Sequence, residues 1–199
     1  MKLIARTSLL LLVAQFMLIL CSWILNVAMP AMHVRTLLSS EGVRWFLSNF
    51  TSNMLTPLLI WIIIGSMSLG ILNESKLYND LKDIKEKRLS YRSRHALILT
   101  VIGLIILITV ISLISFTPHA ILLGVTGNLF PGPFSKGIIP VIAFSTILLS
   151  ILYGVASGRI SSITQIYKSL CKGLDYALPL FPVYILTMQF YASILFVFF

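Results

Sequence analysis

The sequence predicts an all-α integral membrane protein, with about five transmembrane helices and one shorter amphipathic helix near residues 39–53, interfacial or re-entrant. Three observations carry this. Hydrophobic residues make up 58% of the 199-residue chain and charged residues 11%, with a mean hydropathy of +0.99. A soluble domain has about 45–50% apolar and about 25% charged residues. Several apolar runs reach the roughly 18 residues needed to cross a hydrocarbon core of about 30 Å. The basic residues gather in short polar stretches beside those runs. One membrane domain over 1–199 is therefore expected.

The first span is expected at 8–29, after a basic start with Lys2 and Arg6, and Pro30 ends it. Its apolar stretch is longer than the roughly 7–15-residue apolar core of a signal peptide, and no small-x-small cleavage pattern closes it. Residues 30–53 are too short and too polar to span. There Val43, Phe46, Leu47 and Phe50 recur at helical spacing. Ser39 or Ser40, before Glu41 and Gly42, is a candidate N-cap. Arg44 and Trp45 suit headgroup depth, where a guanidinium snorkels and an amphipathic ring sits. The second span is expected at 55–72, with Pro57 near its start. Gly65, Ser66, Ser68 and Gly70 form a helix-packing face, or alternatively a substrate-lining backbone.

Residues 73–95 form a charged loop with seven Lys/Arg and four acids, including an i,i+4 pair at Asp83 and Lys87. The third span, 96–117, is about 33 Å long as a helix and has no ionisable group. Gly and Pro density at 127–134 marks an ordered turn. The fourth span, 138–156, has Pro140 in its first turn. A second basic loop covers 157–173, and a fifth span, 174–199, is interrupted by Pro179 and Pro182. Twelve Lys/Arg lie on the side of the N-terminus and the two loops. Arg35, Arg44 and Lys136 lie on the other. The positive-inside rule then puts the N-terminus in the cytoplasm and the C-terminus outside.

The formal charge of +9 would suggest a nucleic-acid partner in a soluble chain. Here topology accounts for it, so the expected partner is the lipid bilayer and not nucleic acid. No nucleophile triad, HExxH, phosphate loop or carboxylate pair is present, which argues against an enzyme. Cys21 and Cys171 show no metal-type spacing and read as inert thiols. His33 and His119 fall on the expected outer side without supporting ligands, so neither a metal nor a cofactor is expected. Gln15, Asn26, Asn53 and Gln189 are the main uncharged polar groups in or near the spans. Such groups bond across helices or touch a solute. Asp175, beside Lys172, reads as an interfacial carboxylate.

Residues 34–77 carry the most specific pattern. Leu37, Leu38, Ser39, Glu41, Gly42, Arg44 and Trp45 are followed by Asn49, Asn53, Pro57, Gly65 and Gly70, then Glu74, Ser75 and Leu77. This run resembles an early signature of the AbgT family, the p-aminobenzoyl-glutamate transporters. A second block, Phe130-Pro131-Gly132-Pro133-Phe134 through Pro140 to Tyr153-Gly154-Val155-Ala156-Ser157-Gly158, is also similar, as is Met188-Gln189-Phe190. The pattern's Gly after Glu-Ser is Lys76 here, and its Pro-Leu-Gly is Pro57-Leu58-Leu59. The resemblance covers parts of the family's first half. It implies a secondary transporter of the bacterial inner membrane, with a small organic anion as solute: p-aminobenzoyl-glutamate or an antifolate-like molecule. Asn49, Asn53 and Pro57 are then the candidate substrate contacts. Glu41, Gly42, Arg44, Trp45, Glu74 and Ser75 are signature positions. A homo-oligomer or a partner membrane subunit would complete the machinery. The alternative is a non-transporting accessory or scaffold subunit, or a decayed relative of the family.

Overall fold

The computed structural model describes residues 2–29, 34–83, 90–116 and 133–199, without the side chains of 83, 116 and 133–136. The regular structure of the described residues is helical, without strands: α1 (Lys2–Ala28), α2 (Ser40–Ser48), α3 (Phe50–Met54), α4 (Pro57–Ser75), α5 (Leu77–Asp83), α6 (Tyr91–Phe116), α7 (Pro133–Ala156), α8 (Ile163–Ala177) and α9 (Leu180–Phe198). Five of these, α1, α4, α6, α7 and α9, are long and apolar enough to cross a membrane. This is a multi-pass membrane protein. Pro30, His33, His119, Lys87 and the 127–132 part of the Gly-Pro turn lie outside the described residues.

Where one domain over 1–199 is expected, the chain divides into two compact units. Unit 1 comprises Met1–Leu59 and Ala177–Phe199; unit 2 is Ile60–Tyr176.

In unit 1, α1 exposes nearly all its large apolar side chains, and only Ser22 is fully buried. Its polar residues Gln15, Ser22 and Asn26 share one helical face. Ser22 accepts from the Leu37 amide at 3.4 Å, and Asn26 Nδ2 donates to the Val34 carbonyl at 2.7 Å. A core of Val34, Leu37, Phe196 and Val197 sits against Leu18, Ile19, Leu25 and Trp45. The N-cap of α2 is Ser39, whose hydroxyl accepts from the Gly42 amide at 3.0 Å. Gly42 lies directly on the Thr36–Leu37 backbone, so a side chain there has no room. The α2 apolar stripe turns outward: Val43 is 47% and Leu47 70% exposed. Gly42, Trp45, Asn49 and Asn53 occupy the less exposed face. In lipid that inversion is the stable choice, because hydrocarbon solvates the stripe.

The fifth span differs from expectation. Residues 174–179 do not begin it. The chain forms α8 through Ala177, breaks at Leu178–Pro179, and starts α9 at Leu180. Pro182 falls in the first turn of α9, where amides have no intrahelical partner, so it does not break the helix.

In unit 2, the expected loop 157–173 contains most of α8, an amphipathic helix. The expected loop 73–95 is shortened from both sides: α4 runs to Ser75, α5 follows, and α6 starts at Tyr91. Pro140 is inside α7, because the helix begins at Pro133. The small residues of α4 do form a packing face. Gly70 abuts the Ser169 carbonyl and Gly173, and Gly173 abuts the Ser66 carbonyl. Gly65 meets nothing and is not part of it. Most of the large apolar side chains of α6 are exposed, as expected for a lipid-facing helix.

Candidate functional site

Residues 34–56 neither span nor lie flat beside α9. They follow it. The Arg35 amide donates to the Val197 carbonyl at 3.1 Å. Trp45 stacks on Phe196 with centroids 4.3 Å apart and planes at 19°, and the Arg35 guanidinium sits 5.7 Å from the same ring. Asn53 Nδ2 reaches Gln189 Oε1 at 3.5 Å. Tyr184 donates to the Met54 carbonyl at 2.6 Å, and its oxygen lies 2.6 Å from Thr56 Oγ1. From Val197 to Tyr184 these contacts descend about 20 Å along α9, at 1.5 Å per residue. The path is re-entrant with respect to that helix.

Asn49 marks the break between α2 and α3. Its side-chain amide donates back to the Trp45 carbonyl at 3.2 Å, and its backbone leaves the helical region at φ −95°, ψ 0°. Local geometry therefore occupies Asn49, whereas Asn53 faces α9. Pro57 is the first residue of α4, a position where its missing amide costs nothing. Glu41 and Arg44 are exposed.

Gln189 is the tenth of nineteen residues in α9, and Gln15 the fourteenth of twenty-seven in α1. Both are mid-helix. Gln15 Nε2 donates to Ser193 Oγ at 2.9 Å. Tyr184, Gln189 and Ser193 are all buried on α9, with Gln189 and Ser193 one turn apart on one face. One cavity, of about 730 Å³, lies nearer the end of α9, among Asn26, Arg35, Thr36, Ser39 and Glu41. Another, of about 660 Å³ in unit 2, is lined by apolar side chains such as Met67, Leu107, Phe144 and Leu148.

Unit 2 holds a charged cluster that the sequence did not announce. Asp80, expected in a solvated loop, is 7% exposed. Arg159 grips it with both nitrogens, Nη1–Oδ2 2.8 Å and Nη2–Oδ1 3.1 Å, and donates to the Ser75 carbonyl at 2.9 Å. Tyr153 donates a hydrogen bond to the same carboxylate. Burial alone would raise the Asp80 pKa, but hydrogen bonds from Arg159 and Tyr153 outweigh it and hold it below the usual carboxylate value. Arg159, desolvated but facing Asp80, is held above its ordinary value. The signature residue Ser75 thus lends its carbonyl to a structural clasp. Glu74 pairs loosely with Lys172 at 3.7 Å, so Lys172 faces Glu74 where the sequence suggested Asp175. Only Asp80's i+73 and i+79 partners, Tyr153 and Arg159, distinguish it from its solvated neighbours, and a single sequence does not display such pairings.

Among the described residues no group of three His, Cys, Asp or Glu gathers as a metal site. Cys21 is exposed and Cys171 half-buried, both free.

A model of the AbgT putative transporter family matches residues 64–199, well over half of the chain. The signature positions from Leu37 to Pro57 precede the matched stretch. No curated protein and no solved structure matches.

Proposed function

The chain belongs to the AbgT transporter family, and from that premise we propose that it carries a small organic anion across the bacterial inner membrane. The solute class is p-aminobenzoyl-glutamate or an antifolate-like molecule. The family match is the observation that carries this reading. The re-entrant path of 34–56 supports it, because transporters place solute contacts where non-helical backbone reaches mid-depth.

In this reading Asn53, at the tip of α3, contacts the solute. Asn49 and Pro57 shape the two bends that deliver it there. The N-terminus is cytoplasmic, in accord with the twelve-to-three distribution of basic residues. The chain works as a parallel homo-oligomer or beside a second membrane subunit.

Purified protein in liposomes should accumulate labelled p-aminobenzoyl-glutamate above empty vesicles, and Asn53→Ala should lower the rate. Absence of uptake by correctly inserted protein would count against transport and favour a scaffold role. Crosslinking in the same vesicles reports the oligomer.

A further inference from the structure

Among the described residues, two buried side-chain atoms of unit 1 lack hydrogen-bond partners: Gln15 Oε1 and Gln189 Nε2. One is an acceptor and the other a donor. Both residues are mid-helix, and their positions are linked. Gln15 uses its other amide atom on Ser193 at 2.9 Å, and Ser193 lies one turn beyond Gln189 on the same face of α9. Gln189 is 4% exposed and Ser193 0%. An amide group buried without a partner costs roughly 1–3 kcal/mol in proteins. The bonds to Ser193 and Asn53 use one atom of each amide and give no reason for the other atom to stay buried without a partner.

We propose that Gln189 and Gln15 form a solute-binding pair that takes a neutral donor–acceptor group, such as a carboxamide. Gln189 Nε2 donates to its carbonyl oxygen, and Gln15 Oε1 accepts from its N–H. Charge is the wrong chemistry at this depth. Beyond Arg6, α1 has no Asp, Glu, Lys or Arg, and α3 and α9 have none at all. An ionic group entering between them would lose its hydration without a counter-ion. The site therefore reads the uncharged link of a solute and leaves its carboxylates to other contacts. Asn53 meets Gln189 through a long 3.5 Å bond, weak enough to yield when the solute arrives. The proposal rests on the transporter reading for its solute, and it adds the two glutamines and the amide specificity.

The test uses the full chain in detergent and in liposomes, with p-aminobenzoyl-glutamate and its analogue carrying –CH2–CH2– in place of the –CO–NH– link as probes of equal charge with and without the amide. Wild type should bind the amide probe at least about tenfold more tightly, the worth of roughly two modest hydrogen bonds. Gln189→Leu and Gln15→Leu should each lose most of that preference. Gln189→Leu should also melt close to wild type without probe, since removing the unpartnered donor offsets the loss of the long Asn53 bond. A variant that melts lower yet keeps the preference would make Gln189 packing alone and overturn the proposal. So would equal binding of both probes, or of neither, by wild type. If the preference is present and is lost in the variants, but liposomes show no uptake, the site stands and the transport reading falls. Uptake of the amide probe unaffected by either variant overturns the site and leaves transport intact.

Discussion

The two units close their polar groups in opposite ways. Unit 1 pairs neutral groups, with Gln15 and Gln189 in the middle of their helices: amides at Gln15, Asn53 and Gln189, and hydroxyls at Ser193, Tyr184 and Thr56. Unit 2 places a full ion pair, Asp80 with Arg159, on α5 and just past the end of α7. Depth explains the difference. A charge at the centre of a span carries a penalty of several kcal/mol, while near its end water and headgroups relieve it. A neutral amide tolerates the centre if it is bonded. The lesson is that unit 2 uses charge to fix structure, and unit 1 joins its helices through uncharged groups.

That contrast is open to attack first at Asp80. Asp80→Ala leaves the Arg159 guanidinium without its partner and should destabilise the protein by about 3–5 kcal/mol, read from denaturant unfolding in detergent. An effect within a few tenths would mean that the clasp is ornamental. The same carboxylate sets a pH dependence. Its folded pKa is depressed, so its stabilisation is complete above the ordinary Asp value of about 3.9 and is lost as pH falls through the lower folded value. Melting temperature should therefore fall on acidification below about pH 4, and Asp80→Asn should flatten that part of the curve.

Next comes the crossing of α4 and α8. Gly70→Val drives a branched side chain into the Ser169 carbonyl and Gly173 backbone, and should cost about 1–3 kcal/mol by overpacking. Gly65→Ala, which meets nothing, should leave the melting temperature alone.

In unit 1, Ser39→Ala removes the hydroxyl that accepts from the Gly42 amide and should cost about 1 kcal/mol. Asp and Asn at that position should restore it. The smallest effect belongs to the most visible surface pair. Lys172→Ala, at 3.7 Å from Glu74 and largely exposed, should change stability by about 0–1 kcal/mol. A larger loss would mean that charge anchors unit 2 in more than one place.

Much of this architecture was legible in the sequence, because a bilayer dictates length and composition. The five spans, the Ser39 cap and the packing residues Ser66 and Gly70 all follow from local pattern. What was not legible depends on partners far along the chain. α8 reads as a basic loop running into a span because its polar and apolar residues are mixed, and only Pro179 hints at the true boundary. Asp80 reads as solvated because its neighbours are charged, while its partners are Tyr153 and Arg159. The outward turn of the α2 stripe escaped for a third reason. Helical spacing reveals that a stripe exists, but whether protein or lipid covers it depends on what else is present. For the candidate site, Asn53 and Gln189 were each visible as polar residues, but their meeting was not.

One residue joins the two themes of charge and position. Lys76 has φ +56°, the left-handed region in which a side chain costs about 1–2 kcal/mol relative to its ordinary conformations and in which glycine is at ease. It stands where the family-like pattern has Gly. Lys76→Gly should accordingly raise folded stability by roughly 1 kcal/mol. A chain must also be threaded into the membrane the right way round before it can fold. In the proposed orientation, a lysine directly behind α4 favours the cytoplasmic face for that end, and would exchange some final stability for that placement. Reporter fusions after Asp83 would register Lys76→Gly as a larger fraction of inverted molecules, even though the correctly inserted ones melt higher.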